Sequence, residues 1–482
     1  MNARQLTRGA FWFLVIVALY HFGLRWLMIH TGLTLGVVGP GNQVYRVVPL
    51  YAYGDHHVNV WLVVCLLGVT AYVRWAVRAI TAGDGACLRA ARRGFAWKLA
   101  GWFLVVVVTV AMLDGGPKRL WRPFDVLHDS DYIGGVASVQ SPRGFLRDYV
   151  KIRQTLPMHC QTHPPGAVLF LWAVDRGLGP GPVAASIVTI LCAALSVPAV
   201  VGLAGRAMGS DRGRLAGTLF VLAPNVVLFT ATSMDAVFMV PMIWTVYLLF
   251  RAVEEPSRRR AVLLGALAGV SASIAAMLTF SAALLALWAI LLGLFVLILK
   301  RDCLPATLTA LATALGVSIL LYGLLYLSSG YSLIEMLREA VGSHESIMRG
   351  GNYASMRQYL HLVGGNLVAF LVGSGIPISV LYLSMAKQDL SALKQRPKAE
   401  NPSSGRLLNY TFLATLAITL VAPLYTLEVE RIWIFLVPFL AIGAARRLET
   451  VSGDASLPAA RLTLFLLAVQ TIVMESLLET LW

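Results

Sequence analysis

Charge is what this 482-residue sequence has least of: Asp, Glu, Lys and Arg together make up 13% of it, about half their share in a soluble globular domain. With 58% apolar residues and a mean hydropathy of +0.73, that scarcity excludes a soluble enzyme. No polar stretch is long enough for a separate soluble domain, so any chemistry must sit in loops or inside a helical bundle. Cysteine is also sparse. Cys65, Cys87, Cys160, Cys192 and Cys303 have neither paired nor metal-like spacing, which excludes a disulfide framework and a structural zinc site. There is no Walker A loop, no Gly-x-Ser-x-Gly elbow and no His-Glu-x-x-His, so a P-loop NTPase, an α/β-hydrolase and a zincin are all without their residues. Residues 1–30 combine a basic start and an apolar run with no small-residue cleavage site before Arg25 and His30. They are expected to stay as a first helix.

What the sequence has in abundance is apolar runs of about 20 residues, the length that crosses a hydrocarbon core. They lie near 9–30, 58–79, 97–114, 182–205, 215–232, 236–251, 261–281, 282–299, 304–328, 358–384, 408–425, 432–446 and 460–480. The expected fold is therefore an all-α polytopic membrane protein with about thirteen transmembrane helices. Its net charge of +15 is explained first by basic cytoplasmic loops, and no nucleic-acid partner is expected. A cytoplasmic N-terminus puts Arg89, Arg92, Arg93 and Lys98 on one side, together with Arg206, Arg212, Arg214, Arg251, Arg258 to Arg260 and most later cations. This alternation requires that Gly166 to Gly177 not cross. Its apolar part, Ala167 to Val174, is too short and ends at Asp175 and Arg176, so a re-entrant or interfacial segment is expected. The chain then divides into two additional N-terminal helices (1–96), a core (97–300) with a large extracytoplasmic loop (115–181), and C-terminal helices (301–482).

That loop concentrates the polar chemistry. Asp125, His128, Asp129, Asp131 and Tyr132 come first, then Arg143, Arg147, Lys151, Arg153, His159 and His163. Acids followed by cations offer a proton acceptor and a phosphate holder in one segment; the basic run also suits an amphipathic helix resting on lipid headgroups. In His163-Pro164-Pro165 two prolines remove two backbone donors and force an extended turn, which aims His163 at the acids or at a phosphate. Asp235 stands between two apolar runs, where a carboxylate is costly and a functional candidate by default, with helix capping as the other reading. Glu428, Glu430 and Arg431 share a tight outer turn, in which Arg431 either clamps a donor phosphate or forms a local ion pair. The small residues of Leu264 to Gly269 are read as helix packing.

An acidic motif with a nearby Tyr, an amphipathic stretch and His-Pro-Pro before an apolar segment resemble the first extracytoplasmic loop of GT-C glycosyltransferases, in the branch of protein O-mannosyltransferases and lipid A aminoarabinose transferases. The resemblance covers residues 97–260. It implies a polyprenyl-phosphate sugar donor, membrane lipids as partners, and a glycan, lipid or protein acceptor. It also implies an Asp as catalytic base. Asp129 matches through the distance to Ala137, but Tyr132 sits one residue early for it, which leaves Asp131 open. Asp235 looks like the second carboxylate of the aminoarabinose branch; facing Asp129 it would hold a divalent cation, or one of the two would have a raised pKa. The expected activity is inverting sugar transfer at the outer face of a membrane, most simply the bacterial plasma membrane, with donor phosphate held by His163, Arg431, Arg153 and Lys151, and substrate by Tyr132, Glu428 and Glu430. The alternative is a transporter or flippase.

Overall fold

A computed structural model describes residues 2–31, 50, 52–56, 58–81, 88–127, 131–347, 356–394, 402–422, 424–425, 428–449 and 456–479. Among them helix is interrupted by one strand pair, Tyr53–Gly54 antiparallel to Leu478–Glu479. Nine helices among the described residues are long and apolar enough to cross a bilayer: Ala3–Leu27, Trp61–Ile80, Gly94–Ala111, Pro182–Met208, Asp235–Ala252, Arg258–Leu278, Phe280–Leu299, Arg301–Ser329 and Leu457–Leu477. They keep large apolar side chains bare, such as Leu315, Ile319 and Leu324, as lipid contact requires. This is an integral membrane protein of the all-α polytopic class.

Two bent pairs raise the number of spans to eleven if each is one span: Gly213–Val221 with Pro224–Thr230, bent by 53°, and Gln358–Gly373 with Ile376–Lys394, bent by 114°. The thirteen runs read from the sequence thus include two that fall short. Run 408–425 is the helix Ser404–Val421, which opens on Arg406, Asn409 and Tyr410. Run 432–446 is Val437–Glu449, 13 residues, about 20 Å long against a core of roughly 30 Å. Both bends have local causes. Pro224 has no N–H to continue the preceding helix, and Gly375 lies at φ +105°, where only glycine is at ease. At the second bend Gln470 bridges the interruption: its amide nitrogen donates to the Val372 carbonyl (2.8 Å) and its oxygen accepts from the Ile376 N–H (2.8 Å).

The chain forms two compact units. The first comprises residues 1–119, 197–231 and 351–481, the second 120–196 and 232–350 together with 482. In the first, buried charges are cross-linked. Arg446 embraces Asp389 through Nη1–Oδ2 (2.8 Å) and Nη2–Oδ1 (3.1 Å), Asn409 donates to Asp389 Oδ2 (2.8 Å), and Tyr382 donates to Asn409 (3.0 Å). Arg119 likewise joins Asp114 (2.7 Å) and Glu479 (2.8 Å).

The second unit packs the Arg258–Leu278 helix against Leu304–Ser329 through small residues. A Cβ on Gly265 would lie 2.8 Å from Ala310 Cα, and one on Gly269 3.0 Å from Ala314 Cα, the close backbone approach that small residues permit in membranes. Loop 115–181 is a string of short helices. Of these, Pro142–Ile152 is capped by Ser141, whose hydroxyl accepts from Gly144 N–H (3.2 Å), and has Pro142 in its first turn. It buries Phe145, Leu146 and Tyr149 and leaves Arg143, Arg147 and Lys151 exposed at four-residue intervals. Gly166–Leu178 is a 13-residue helix, too short to span, as its apolar length predicts. Phe124, Tyr132, Tyr149, Cys160, Val168, Phe238 and Tyr331 form the core that joins the loop to the spans.

Candidate functional site

Asp131 opens the site. It caps the short helix Tyr132–Ser138, accepting from the Tyr132 N–H at 2.7 Å, and its Oδ1 lies 3.2 Å from His159 Nδ1. The carboxylate is buried, with the side chain 7% exposed against 23% for His159. Because Nδ1 faces a carboxylate oxygen it carries the proton in the neutral ring, leaving Nε2 as acceptor. The Tyr132 ring stands 5.7 Å from His159, 5.4 Å from His163 and 5.9 Å from Phe238.

His163 takes an extended conformation, φ −131° and ψ 162°, as the following proline demands. Its carbonyl accepts from the Tyr149 hydroxyl (2.9 Å), which also donates to Cys160 O (2.6 Å), and its Nδ1 lies 3.2 Å from both His159 O and Thr162 Oγ1. Burial pushes the Tyr149 hydroxyl pKa up. The Cys160 thiol, beneath Gly135, is pushed up to about 12 by burial and then by the Asp131 carboxylate. Directly after the prolines, Gly166 lies flat on the Met277 carbonyl, with no space for a Cβ.

Asp235 is the first residue of the Asp235–Ala252 helix, whose dipole favours an anion there. The Ser233 hydroxyl donates to its Oδ2 (2.7 Å) and accepts from its N–H (3.1 Å). Phe238, 6.2 Å from the His163 ring, follows one turn later on the same face. A cavity of about 550 Å³, walled by Phe170, Val240, Pro241, Trp244, Met277 and Leu278, starts at Gly166 and Val237, just beyond the His-Pro-Pro turn and Asp235.

The other expected residues are placed elsewhere. Arg153 is buried and engaged, donating to Gln161 O (3.1 Å), Glu339 O (3.2 Å) and Glu339 Oε2 (3.2 Å), so it fastens the loop to the Leu333–Ile347 helix. Lys151 lies exposed on the cationic face of its own helix. Glu428, Glu430 and Arg431 belong to the first unit. There Arg431 Nη2 pairs locally with Glu428 Oε2 (2.6 Å), and Glu428, at φ 61°, is the only non-glycine with positive φ among the described residues, a costly conformation. Glu430 is buried beside Gly373 and Asn225. His128 and Asp129 lie outside the described residues, and so does one half of the expected metal pair Asp129 and Asp235. Among the described residues no three His, Cys, Asp or Glu side chains gather as a metal site.

Three residues of these surroundings carried no separate expectation. His159 was legible, since it precedes His163 by four residues and a helical turn between them aligns both rings. Asn225 follows Pro224 inside an apolar run, and its fully buried amide has no hydrogen-bond partner among the described residues. Ser233 gave no signal, because a serine two residues before an acid is common in any turn.

Residues 162–326 match the family model described as dolichyl-phosphate-mannose-protein mannosyltransferase. Two crystal structures of ArnT from Cupriavidus metallidurans are similar to the chain. The one bound to undecaprenyl phosphate is 14% identical, with 73% of this chain and 61% of that one covered and a TM-score of 0.47. The apo form is 12% identical, with 79% and 78% covered and a TM-score of 0.45. The chain thus spans about three fifths of the length of the bound-form structure. No curated protein matches it. Over the third of its length that begins beside His163-Pro164-Pro165 and includes Asp235, the chain is thus similar to the dolichyl-phosphate-mannose-protein mannosyltransferases.

Proposed function

We propose that the chain is an inverting membrane glycosyltransferase that moves a sugar from a polyprenyl-phosphate donor to an acceptor hydroxyl, at the extracytoplasmic face of a bacterial plasma membrane, with its N-terminus cytoplasmic. The observation that carries this reading is one juxtaposition: Asp131 meets His159 at 3.2 Å, the Tyr132 ring lies against His159, His163 and Phe238, Asp235 heads the helix that carries Phe238, and an apolar cavity of about 550 Å³ begins at Gly166 and Val237. A lipid-linked sugar needs these two surroundings side by side, a polar one for the head and an apolar one for the tail. The description of the matching family model, with its dolichyl-phosphate mannose, supports a donor of this kind.

Asp131 is buried and occupied as a cap, which suits it to orient His159 and leaves the base to Asp129, the position marked by the resemblance. Asp129 takes the proton of the acceptor hydroxyl as its oxygen bonds to the anomeric carbon, and the bond from that carbon to the phosphate oxygen breaks. Protonated His163 donates to the departing phosphate, and Asp235, steadied by Ser233, accepts from a sugar hydroxyl. If a divalent cation takes part, Asp129 and Asp235 would hold it and it would supply charge stabilisation to the phosphate; loss of transfer in chelator tests this. No step is assigned to Arg431, Glu428 or Glu430. In lipid nanodiscs with a labelled polyprenyl-phosphate mannose or aminoarabinose, Asp129→Asn is expected to slow transfer by roughly 10²- to 10⁴-fold, and Asp131→Asn by less. Unaltered transfer in Asp129→Asn, Asp131→Asn and Asp235→Asn would defeat the mechanism.

A further inference from the structure

A second cavity of about 400 Å³ lies in the same unit, and Phe124, Asp125, Leu171, Trp172, Asp175 and Arg176 line it. None of the residues around the Tyr132 ring does. Ile133 and Val136 contribute a wall, so the Tyr132–Ser138 helix has Asp131 at its start and this cavity along its body. Among the described residues no helix long and apolar enough to cross lies between the spans Gly94–Ala111 and Pro182–Met208. Asp131 and the cavity therefore open on one membrane face.

The lining has a definite chemistry. Trp172, Asp175 and Arg176 stand at i, i+3 and i+4 of one helix, hence on one side of it. The Trp172 side chain supplies an aromatic part of the wall. The Arg176 guanidinium lies 6.0 Å from the centre of that ring. Asp125 is exposed and Asp175 half-buried. An acyl chain would leave both carboxylates and the guanidinium unanswered, and a phosphate would meet two like charges. A pyranose suits the lining: its C–H face lies on an aromatic ring, its hydroxyls donate to carboxylates, and its oxygens accept from the guanidinium. The volume falls within the range of small-ligand pockets, roughly 300–1,000 Å³.

We propose that this cavity is a saccharide-binding subsite that holds a neutral or amino sugar of the acceptor. Its assignment to the acceptor rests on the transferase reading, whereas saccharide binding does not. The test is saturation-transfer NMR on the purified full-length protein in detergent, with methyl mannoside, methyl glucoside and methyl glucosaminide as probes. At least one probe binds, Trp172→Ala and Asp175→Asn each weaken it fivefold or more, Trp172→Phe weakens it less because the ring remains, and Arg143→Ala leaves it unchanged. Failure of all three probes on the parent protein overturns the site. So does binding that survives in both Trp172→Ala and Asp175→Asn; if Trp172→Ala does not elute as the parent does, Trp172→Phe takes its place, and undiminished binding there overturns the site equally. Binding without transfer from any lipid-phosphate sugar would remove the transferase reading and leave the subsite. Transfer with an unchanged acceptor KM in Trp172→Ala would remove the acceptor assignment.

Discussion

Asp389 and Asp114 in the first unit are held differently from Asp131 and Asp235 in the second. Asp389 in the first is gripped by the Arg446 fork and by Asn409, and Asp114 meets Arg119. In the second, Asp131 is met by a backbone N–H and a histidine, and Asp235 by a serine hydroxyl. A bidentate arginine cancels the charge and satisfies both oxygens, which makes the carboxylate an anchor. Neutral donors fix the position of a carboxylate and leave its charge to act on a proton or a cation. The first pattern suits an anchor, and the second suits the roles proposed for Asp131 and Asp235.

The sharpest way to break this comparison is Asp389→Ala, which strands Arg446 and is expected to cost about 3–5 kcal/mol, read as a lower thermal unfolding midpoint with transfer per folded molecule unchanged. Transfer lost in proportion to Asp129→Asn would erase the distinction. Next comes Gly166→Ala. A methyl there meets the Met277 carbonyl, so about 1–3 kcal/mol of overpacking is expected together with a larger loss of transfer, because His163 shifts with the helix start. Parent-like unfolding and turnover would show that the turn needs no fixed seat. The smallest effect concerns Cys160. Its thiol is raised from an ordinary 9.0 to about 12, so folding favours the protonated form; this contribution is complete below about pH 9 and fades as pH climbs towards about 12. Maleimide labelling of Cys160 should stay slow at mildly alkaline pH, and labelling as fast as that of a free thiol there would contradict its burial beside Asp131.

Much of the fold is legible in the sequence because long apolar runs have one efficient outcome in a bilayer. The bends are not, since proline and glycine are tolerated in membrane helices and read as ordinary residues of a span. His163 in the loop and Asp235 at the start of its helix stood out as polar groups beside apolar runs; the His163 ring lies against Tyr132 and Phe238, and Asp235 begins the helix that carries Phe238. The engagement of Arg153 was not legible for a physical reason: its partner Glu339 is 186 positions away, and nothing local announces a pairing so distant in the chain. Asp131 and Asp129 look equivalent on paper, and the role of Asp131 as a cap to Tyr132 N–H is a local contact that spacing alone does not announce.

Gln470 carries a wider consequence. At the sharp turn between Gly373 and Ile376 one side-chain amide supplies both a donor and an acceptor to backbone groups that have lost their helical neighbours. Lysine has only donors and ionised glutamate only acceptors, so neither can splint the turn, and asparagine is one methylene short. A break that looks like a property of glycine is thus maintained from a helix almost a hundred residues further along the chain.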